Sequence, residues 1–528
     1  VALTALYIER LTAVRRALSQ RVQVSAADRR ALLRNHPELA ALDQQLARAR
    51  ADIAARTAYA RRLGVELPLE LVRDRFGLSP LDLELLAILV TIERGAALNP
   101  YLSASDKSEA AQSDVAFLVA LTADGVEHTP EAVRLRFTGD APLVDGGLIE
   151  LASGPGWVPE APLAYKRLRV AERVLDFIEG LRAPGDAVLG TVARFVATPL
   201  AAAELIVPDR TVIDEVARAL VRTDHVLEVI GAPGVGRKAV IGAAARALGS
   251  PLIVVDLREL PVDARVLADT LRPLVRETRL QQGVLVLEGA DHYGDAEGQG
   301  FIFAHLIAQV RAATVPLAVV CERSVEWLGR CGRVILRFVV PFPNAETQRK
   351  LWIRHLPATL RLGPGTDLET IVKRYSASCA AIADAAVELG RLDYVHQRGG
   401  VVTEEHVVGV IRSRLAHRLG ALATVVRTTL EWPDVILPDE ILGPVFEFLN
   451  YAAHRMQVFK QWGFDRKLPY GRGLSALFAG PPGTGKTMIC SLLAKELGLE
   501  LYRIDLSQVV NKYIGETEKN LGDRKSVV

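Results

Sequence analysis

Cysteine is scarce. The four in 528 residues, Cys321, Cys331, Cys379 and Cys490, form no Cys-x-x-Cys pair and fall far short of the density of a disulfide scaffold. A reducing cytoplasm is therefore the expected compartment. Long apolar runs are missing too: none approaches the ~20 residues of a membrane helix, and the first residues lack a basic-then-apolar signal pattern. Charge of one sign is not in excess. Sixty-four Lys and Arg against 62 Asp and Glu leave a net +2, so bulk charge gives no case for nucleic acid or for a membrane surface. What remains is an ordinary globular composition, 50% hydrophobic and 24% charged, long enough for roughly three to five domains. The chain opens on Val1 rather than Met, and the tail 522–528 follows no pattern set before it, which reads as a fragment at one end or both.

One stretch organises the rest. Gly480-Pro481-Pro482-Gly483-Thr484-Gly485-Lys486-Thr487 fits G-x-x-x-x-G-K-[ST], a phosphate-binding loop. Residues 474–479 read as a short buried strand ahead of it. Residues 488–497, starting at Met488, read as a helix that Gly498 stops. Glycines let backbone N–H groups turn toward a β-phosphate at a helix N-terminus. Lys486 would reach the β- and γ-phosphates of ATP, and the Thr487 hydroxyl would hold Mg²⁺.

Taken in order, residues 1–64 read as a helical arm rich in Ala, Leu and Arg. Fourteen Arg and no Lys against eight acids within 1–75 give it a basic face, most simply a solvated one. Residues 65–160 read as a winged-helix-like domain. Its helices are expected at 69–76, 81–94, 116–122 and 130–137, and a hairpin over 143–151 turns at Asp145-Gly146-Gly147. The proposed recognition helix carries only Arg134 and Arg136, so protein contact is favoured over DNA. A helical connector follows over 161–205, with its helix at 164–182.

A shift of 249 positions lays Gly231-Ala232-Pro233-Gly234-Val235-Gly236 on 480–485, Leu248-Gly249 on Leu497-Gly498 and Asp256-Leu257 on Asp505-Leu506. The chain thus holds two nucleotide-binding modules, 206–343 and 425–528, separated by a helical lid over 344–424. The first is degenerate. Arg237 replaces the loop lysine and Lys238 replaces the metal-binding hydroxyl, with Ala239 beside it. The strand 283–287 leads to Glu288 and then Gly289, where a water-activating Glu belongs. Arg330 and Arg333 are candidates to reach a neighbouring subunit's phosphate, or simply surface ion pairs.

These residues resemble the AAA family of ATPases, over about 206–522. The resemblance implies an α/β fold of tandem P-loop modules, each a parallel sheet flanked by helices, behind the helical arm and winged helix. It implies that Lys512-Tyr513-Ile514-Gly515 is a pore loop gripping an extended polypeptide inside a homo-oligomeric, hexameric ring. The first module has Ala264 at that offset. The implied function is ATP hydrolysis coupled to remodelling or threading of protein substrates; the alternatives are a DNA-associated ATPase and a non-catalytic nucleotide-binding scaffold. The domain order is most similar to bacterial ATPases associated with phage-tail-like contractile injection systems. Shifted by 249, the second module's Asp-Glu-bearing strand would begin just past residue 528, so the chain as given is expected to bind ATP–Mg²⁺ poorly and hydrolyse it hardly at all.

Overall fold

The computed structural model describes residues 2–19, 37–94, 114–123, 128–152, 162–185, 189–260, 264–293, 300–392, 399–419, 423–426, 428–456, 474–499 and 501–504. The chain divides into two compact units, 1–347 and 348–528.

The first unit opens with α1 (Ala2–Ser19), α2 (Pro37–Arg62), α3 (Pro68–Phe76), α4 (Pro80–Arg94), α5 (Val115–Thr122), α6 (Pro130–Leu135) and α7 (Pro142–Asp145). Local chemistry starts several of them. Pro80 takes the first helical position of α4, and Ser79 and Asp82 bond each other's backbone N–H groups across its first turn. Asp114 accepts from the Phe117 N–H at 2.6 Å, and Thr129 from the Ala132 N–H at 3.2 Å. Tyr7, Ile8 and Leu46 of the first two helices share one buried core with Val72, Leu85, Leu118, Val133 and Phe137.

The expected hairpin over 143–151 does not form. Pro142 starts a short helix and Gly147, at φ +63°, ends it, while the Leu148 N–H bonds the Leu143 carbonyl at 3.0 Å. The glycine is a helix stop. Strand β1 (Ile149–Ala152) instead pairs antiparallel with β2 (Arg167–Val170), Ile149 opposite Val170. The expected helix over 164–182 is accordingly part strand, and only α8 (Glu172–Ile178) is α-helical.

Next comes a six-stranded sheet. Strands β3 (Ala193–Val196), β4 (His225–Ile230), β5 (Leu252–Asp256), β6 (Val284–Glu288), β7 (Leu317–Cys321) and β8 (Val334–Val339) run in the spatial order β3-β5-β6-β7-β4-β8. All neighbours are parallel except the edge pair β3–β5. The connector expected over 161–205 therefore contributes an edge strand to the sheet. The central strands are mainly apolar because both faces are covered; an exception in β4 is Glu228, fully buried and bonded by Ser324, the Val325 N–H and Arg337. Leu252 and Val254 join one core with α9 (Thr211–Leu220) and α10 (Arg237–Ala247). Ile253 and Val255 join the other with α11 (Ala264–Gln281) and α12 (Gly300–Ala312).

Helix α11 also serves the preceding domain. Leu280 is part of the winged-helix core, fully buried among its side chains. Arg173 of α8 is 5% exposed and meets the fully buried Glu277 through two bonds of 2.8 and 3.0 Å. Arg276 donates to the Gly147 carbonyl at 2.8 Å, Arg75 donates to the Leu280 carbonyl, and the Arg279 guanidinium lies 5.1 Å from the centre of the Phe76 ring. The sheet and the N-terminal domain are joined by a buried, polar-and-apolar seam.

Helix α13 (Ala345–His355) carries the chain across the division between the units. In the second unit, α14 (Leu368–Arg374), α15 (Cys379–Arg391) and α16 (Glu404–Leu419) stand where helices were expected, with the small parallel pair β9 (Arg361–Leu362) and β10 (Val401–Val402). Gly399 and Gly400, both at φ +72°, make a turn. A Cβ on Gly400 would lie 2.5 Å from the Thr359 carbonyl, so the close approach demands glycine. Beyond them come β11 (Ala423–Val426), α17 (Asp439–Met456), α18 (Lys486–Glu496) and β12 (Leu501–Ile504).

Candidate functional site

From their second glycine onward the two glycine loops share one backbone geometry. Gly234 and Gly236 have φ +79° and +96°; Gly483 and Gly485 have +86° and +83°. All four lie in the left-handed region, where glycine avoids the Cβ clash other residues suffer. Each loop feeds a helix one residue after its last glycine, and the Val240 and Ile489 N–H groups bond the Gly236 and Gly485 carbonyls at 2.9 Å. Each helix ends alike, with Gly249 at φ +71° and Gly498 at +63°.

The likeness reaches further than the motif. Strand β3 pairs antiparallel with β5, Val196 opposite Leu252, and β11 pairs antiparallel with β12, Val426 opposite Leu501. Leu252 and Leu501 are themselves 249 apart, so both pairs share one register. A short 3-10 turn recurs as well: the Ala201 N–H bonds Glu204 at 2.9 Å, and the Glu431 N–H bonds Asp434 at 2.8 Å.

In the second loop the Lys486 ammonium turns back onto its own cradle, donating to the Gly480 and Pro481 carbonyls at 2.9 and 2.6 Å. Thr484 donates to the Pro481 carbonyl at 2.9 Å. Lys486 is half-buried, and Thr487 is exposed on the first turn of α18. The helix is anchored on Ile489, Leu492 and Leu493, and its far end is tied by Lys495 to the Leu430 carbonyl and by Glu496 to the Trp432 indole N–H.

Residues 474–479 are not the buried strand expected. They form no strand among the described residues and are mostly exposed, Leu477 to 94%. In the first module, by contrast, β4 is buried because β7 and β8 flank it. The pore-loop residues Lys512, Tyr513, Ile514 and Gly515 lie outside the described residues.

In the first loop, Lys238 forms an ion pair with Glu288 at the end of β6. Arg237 starts α10, and its Nη1 is buried without a hydrogen-bond partner among the described residues. Asp256, the carboxylate at the end of β5, is already taken by Arg258 through bonds of 2.8 and 2.5 Å, a contact that holds its carboxyl below the usual carboxylate range. Asp291 accepts the Glu322 and Arg323 N–H groups. Gly289 is at φ +77°, and a Cβ there would lie 3.1 Å from the Arg258 side chain. Gly289→Glu is expected to cost about 1–3 kcal/mol through backbone strain alone. Urea unfolding of the variant measures it, and unchanged stability would refute that account.

Arg333 is engaged within its own unit. Its guanidinium donates to the Val310 and Ala313 carbonyls at 3.0 and 2.9 Å and to the Thr223 and His225 carbonyls, a bracket inside its own unit. Arg330 remains exposed. Among the described residues of the N-terminal region, several arginines are engaged internally: Arg10 on Asp43, Arg50 on Glu84, Arg61 and Arg73 on Glu70. Arg136 faces Asp82 at 3.6 Å, leaving Arg134 exposed. Burial pushes the Cys321 thiol up to about 12, so it is no nucleophile at neutral pH.

Comparison with known proteins agrees with the geometry. A family model described as "Winged helix domain, variant" matches residues 5–191, and one described as "ATPase family associated with various cellular activities (AAA)" matches residues 476–525. The human peroxisomal ATPase PEX6 is 24% identical over 332 residues, 55% of this chain and 32% of that protein. An uncharacterized AAA family ATPase, y4kL, of Sinorhizobium fredii is 49% identical over 45 residues, 8% of this chain and 14% of its own. Cell division protein C of Sulfolobus acidocaldarius is 31% identical over 88 residues, 17% of this chain and 21% of its own. The match spans about a third of human PEX6 at most, and less of the other two.

Proposed function

We propose that this chain, an AAA-family ATPase with a winged-helix segment on its N-terminal side, binds ATP–Mg²⁺ at the 480–487 loop and uses it to remodel or thread protein substrates in a ring of like subunits. The observation that carries this reading is the loop itself, two left-handed glycines delivering Lys486 and Thr487 to a helix N-terminus. The cradle suits the group. The Lys486 ammonium, now satisfied by two loop carbonyls, has phosphate oxygens as stronger acceptors within its reach. The exposed Thr487 hydroxyl stands beside it, as a metal ligand would. Bound Mg²⁺ neutralises charge on the β- and γ-phosphates. This chain's own residues do the holding: loop N–H groups orient the phosphates, and Lys486 balances their charge.

The first module is read as non-hydrolysing. Gly289 offers no base, and Lys238 offers no hydroxyl. It is the scaffold on which the winged-helix domain is fixed. DNA is the weaker partner for that domain, given that Arg136 of its proposed recognition helix faces Asp82 and that Arg10, Arg50 and Arg61 of the arm are paired within the fold. The resemblance of the domain order makes a contractile injection complex one candidate client, and Tyr513 the residue that would grip it.

The test is the mass of the full chain in solution with and without ATP–Mg²⁺, by light scattering, beside calorimetric ATP binding. Nucleotide-dependent assembly toward a hexamer is the expected result. A protein that binds ATP and stays monomeric refutes the ring, and one that binds no ATP refutes the site.

A further inference from the structure

The fold family implies a divalent cation at each phosphate loop, and the first loop does not fit one. Position 238 corresponds to Thr487, but it holds a primary amine, which cannot ligate a metal while protonated. That side chain is 42% exposed, yet its amine does not point away from the loop. It bends across to the end of β6 and pairs with Glu288, the carboxylate a metal would need, which is only 19% exposed. The other carboxylates nearby are engaged as well, Asp256 by Arg258 and Asp291 by two backbone N–H groups. Among the described residues no group of three or more His, Cys, Asp or Glu side chains could hold a metal. The loop has nonetheless kept its left-handed glycines, and Arg237 brings a second positive charge with one buried nitrogen unsatisfied.

We infer that Lys238 is the resident cation of the first loop. Its ammonium, held by Glu288, stands in place of the divalent ion, so a polyphosphate bound there is held without Mg²⁺ and gains nothing from it. The inference rests on the reading that the first loop still accepts a phosphate chain. Its electrostatics are consistent: Lys238 and Glu288 cancel and Arg258 and Asp256 cancel, while Asp291 is turned to the Glu322 and Arg323 N–H groups and Arg237 keeps a buried nitrogen for the anion. With no exchangeable metal and no base, a nucleotide here would persist.

The experiment uses the full chain carrying Lys486→Ala, which silences the second loop, and ribose-labelled fluorescent ATP as the probe. The dissociation constant in EDTA is expected within about twofold of that in MgCl₂. Adding Lys238→Thr restores the hydroxyl and frees Glu288, so Mg²⁺ should then tighten binding about tenfold. Adding Lys238→Arg instead keeps the charge and should keep the indifference to metal. Melting curves confirm that each variant is folded. Tightening by Mg²⁺ of about tenfold without any change at Lys238 overturns the inference, as does a folded Lys238→Thr chain that stays indifferent to metal. Absence of binding in both media refutes instead the reading of the loop as a phosphate site.

Discussion

Glu277→Ala is expected to destabilise the first unit by about 3–5 kcal/mol, the range for removing one partner of a buried ion pair. The Arg173 guanidinium would stay buried, keeping the Leu181 and Arg182 carbonyls at 2.6 and 2.8 Å but losing its counter-charge. Gln281, which bonds both Glu277 and the Arg182 carbonyl, would lose one anchor too. Replacing both partners, Arg173→Met with Glu277→Leu, should cost far less, because no unpaired charge is then buried. Denaturant unfolding of the two variants decides it. If the single replacement is as mild as the double, the pair contributes nothing specific and the seam is held by apolar packing alone.

Lys486→Ala is expected to weaken ATP–Mg²⁺ binding at the second loop by at least about 100-fold, or roughly 3 kcal/mol, since a charged hydrogen bond to phosphate contributes about 1.5–3 kcal/mol and Lys486 has more than one donor to give. The fold should survive. Lys486 bonds only loop atoms, and α18 is anchored through Ile489, Leu492 and Leu493. Calorimetry against labelled and unlabelled ATP measures the loss. Because the first loop holds nucleotide independently of metal under the inference above, the titration is run in EDTA as well as MgCl₂, and the Mg²⁺-dependent component is the one that should vanish. An unchanged Mg²⁺-dependent component would place the nucleotide elsewhere.

Much of this was legible in the chain because it is local. A glycine loop between a strand and a helix is written in consecutive residues, and the repeat shows by sliding the chain on itself. The helices at 368–374, 379–391 and 404–419 follow from short-range apolar spacing. What escaped was non-local. Asp145-Gly146-Gly147 serves a hairpin turn or a helix stop equally well, and Pro142 with the Leu143 carbonyl decided for the stop. The strand partner of β1 lies beyond a long connection. Residues 474–479 have the composition of a buried strand, but burial comes from neighbours rather than from the segment. At the first loop the missing hydroxyl was visible, whereas the ion pair between Lys238 and Glu288 depends on the sheet bringing together positions fifty residues apart. Arg173 and Glu277 are farther apart still, and nothing near either one signals the other.

Leu280 has a consequence for the order in which the molecule can be made. The N-terminal domain is all but spelled out by residue 185, yet one wall of its core and the counter-ion of its buried arginine arrive only with α11, after three strands of the sheet have been synthesised. During synthesis the winged helix must wait, incompletely closed, for a helix that belongs to the next domain. A piece cut at the apparent domain border would expose that wall to water and leave Arg173 without its carboxylate. Covalently the two are successive domains; in folding they are one task, finished together.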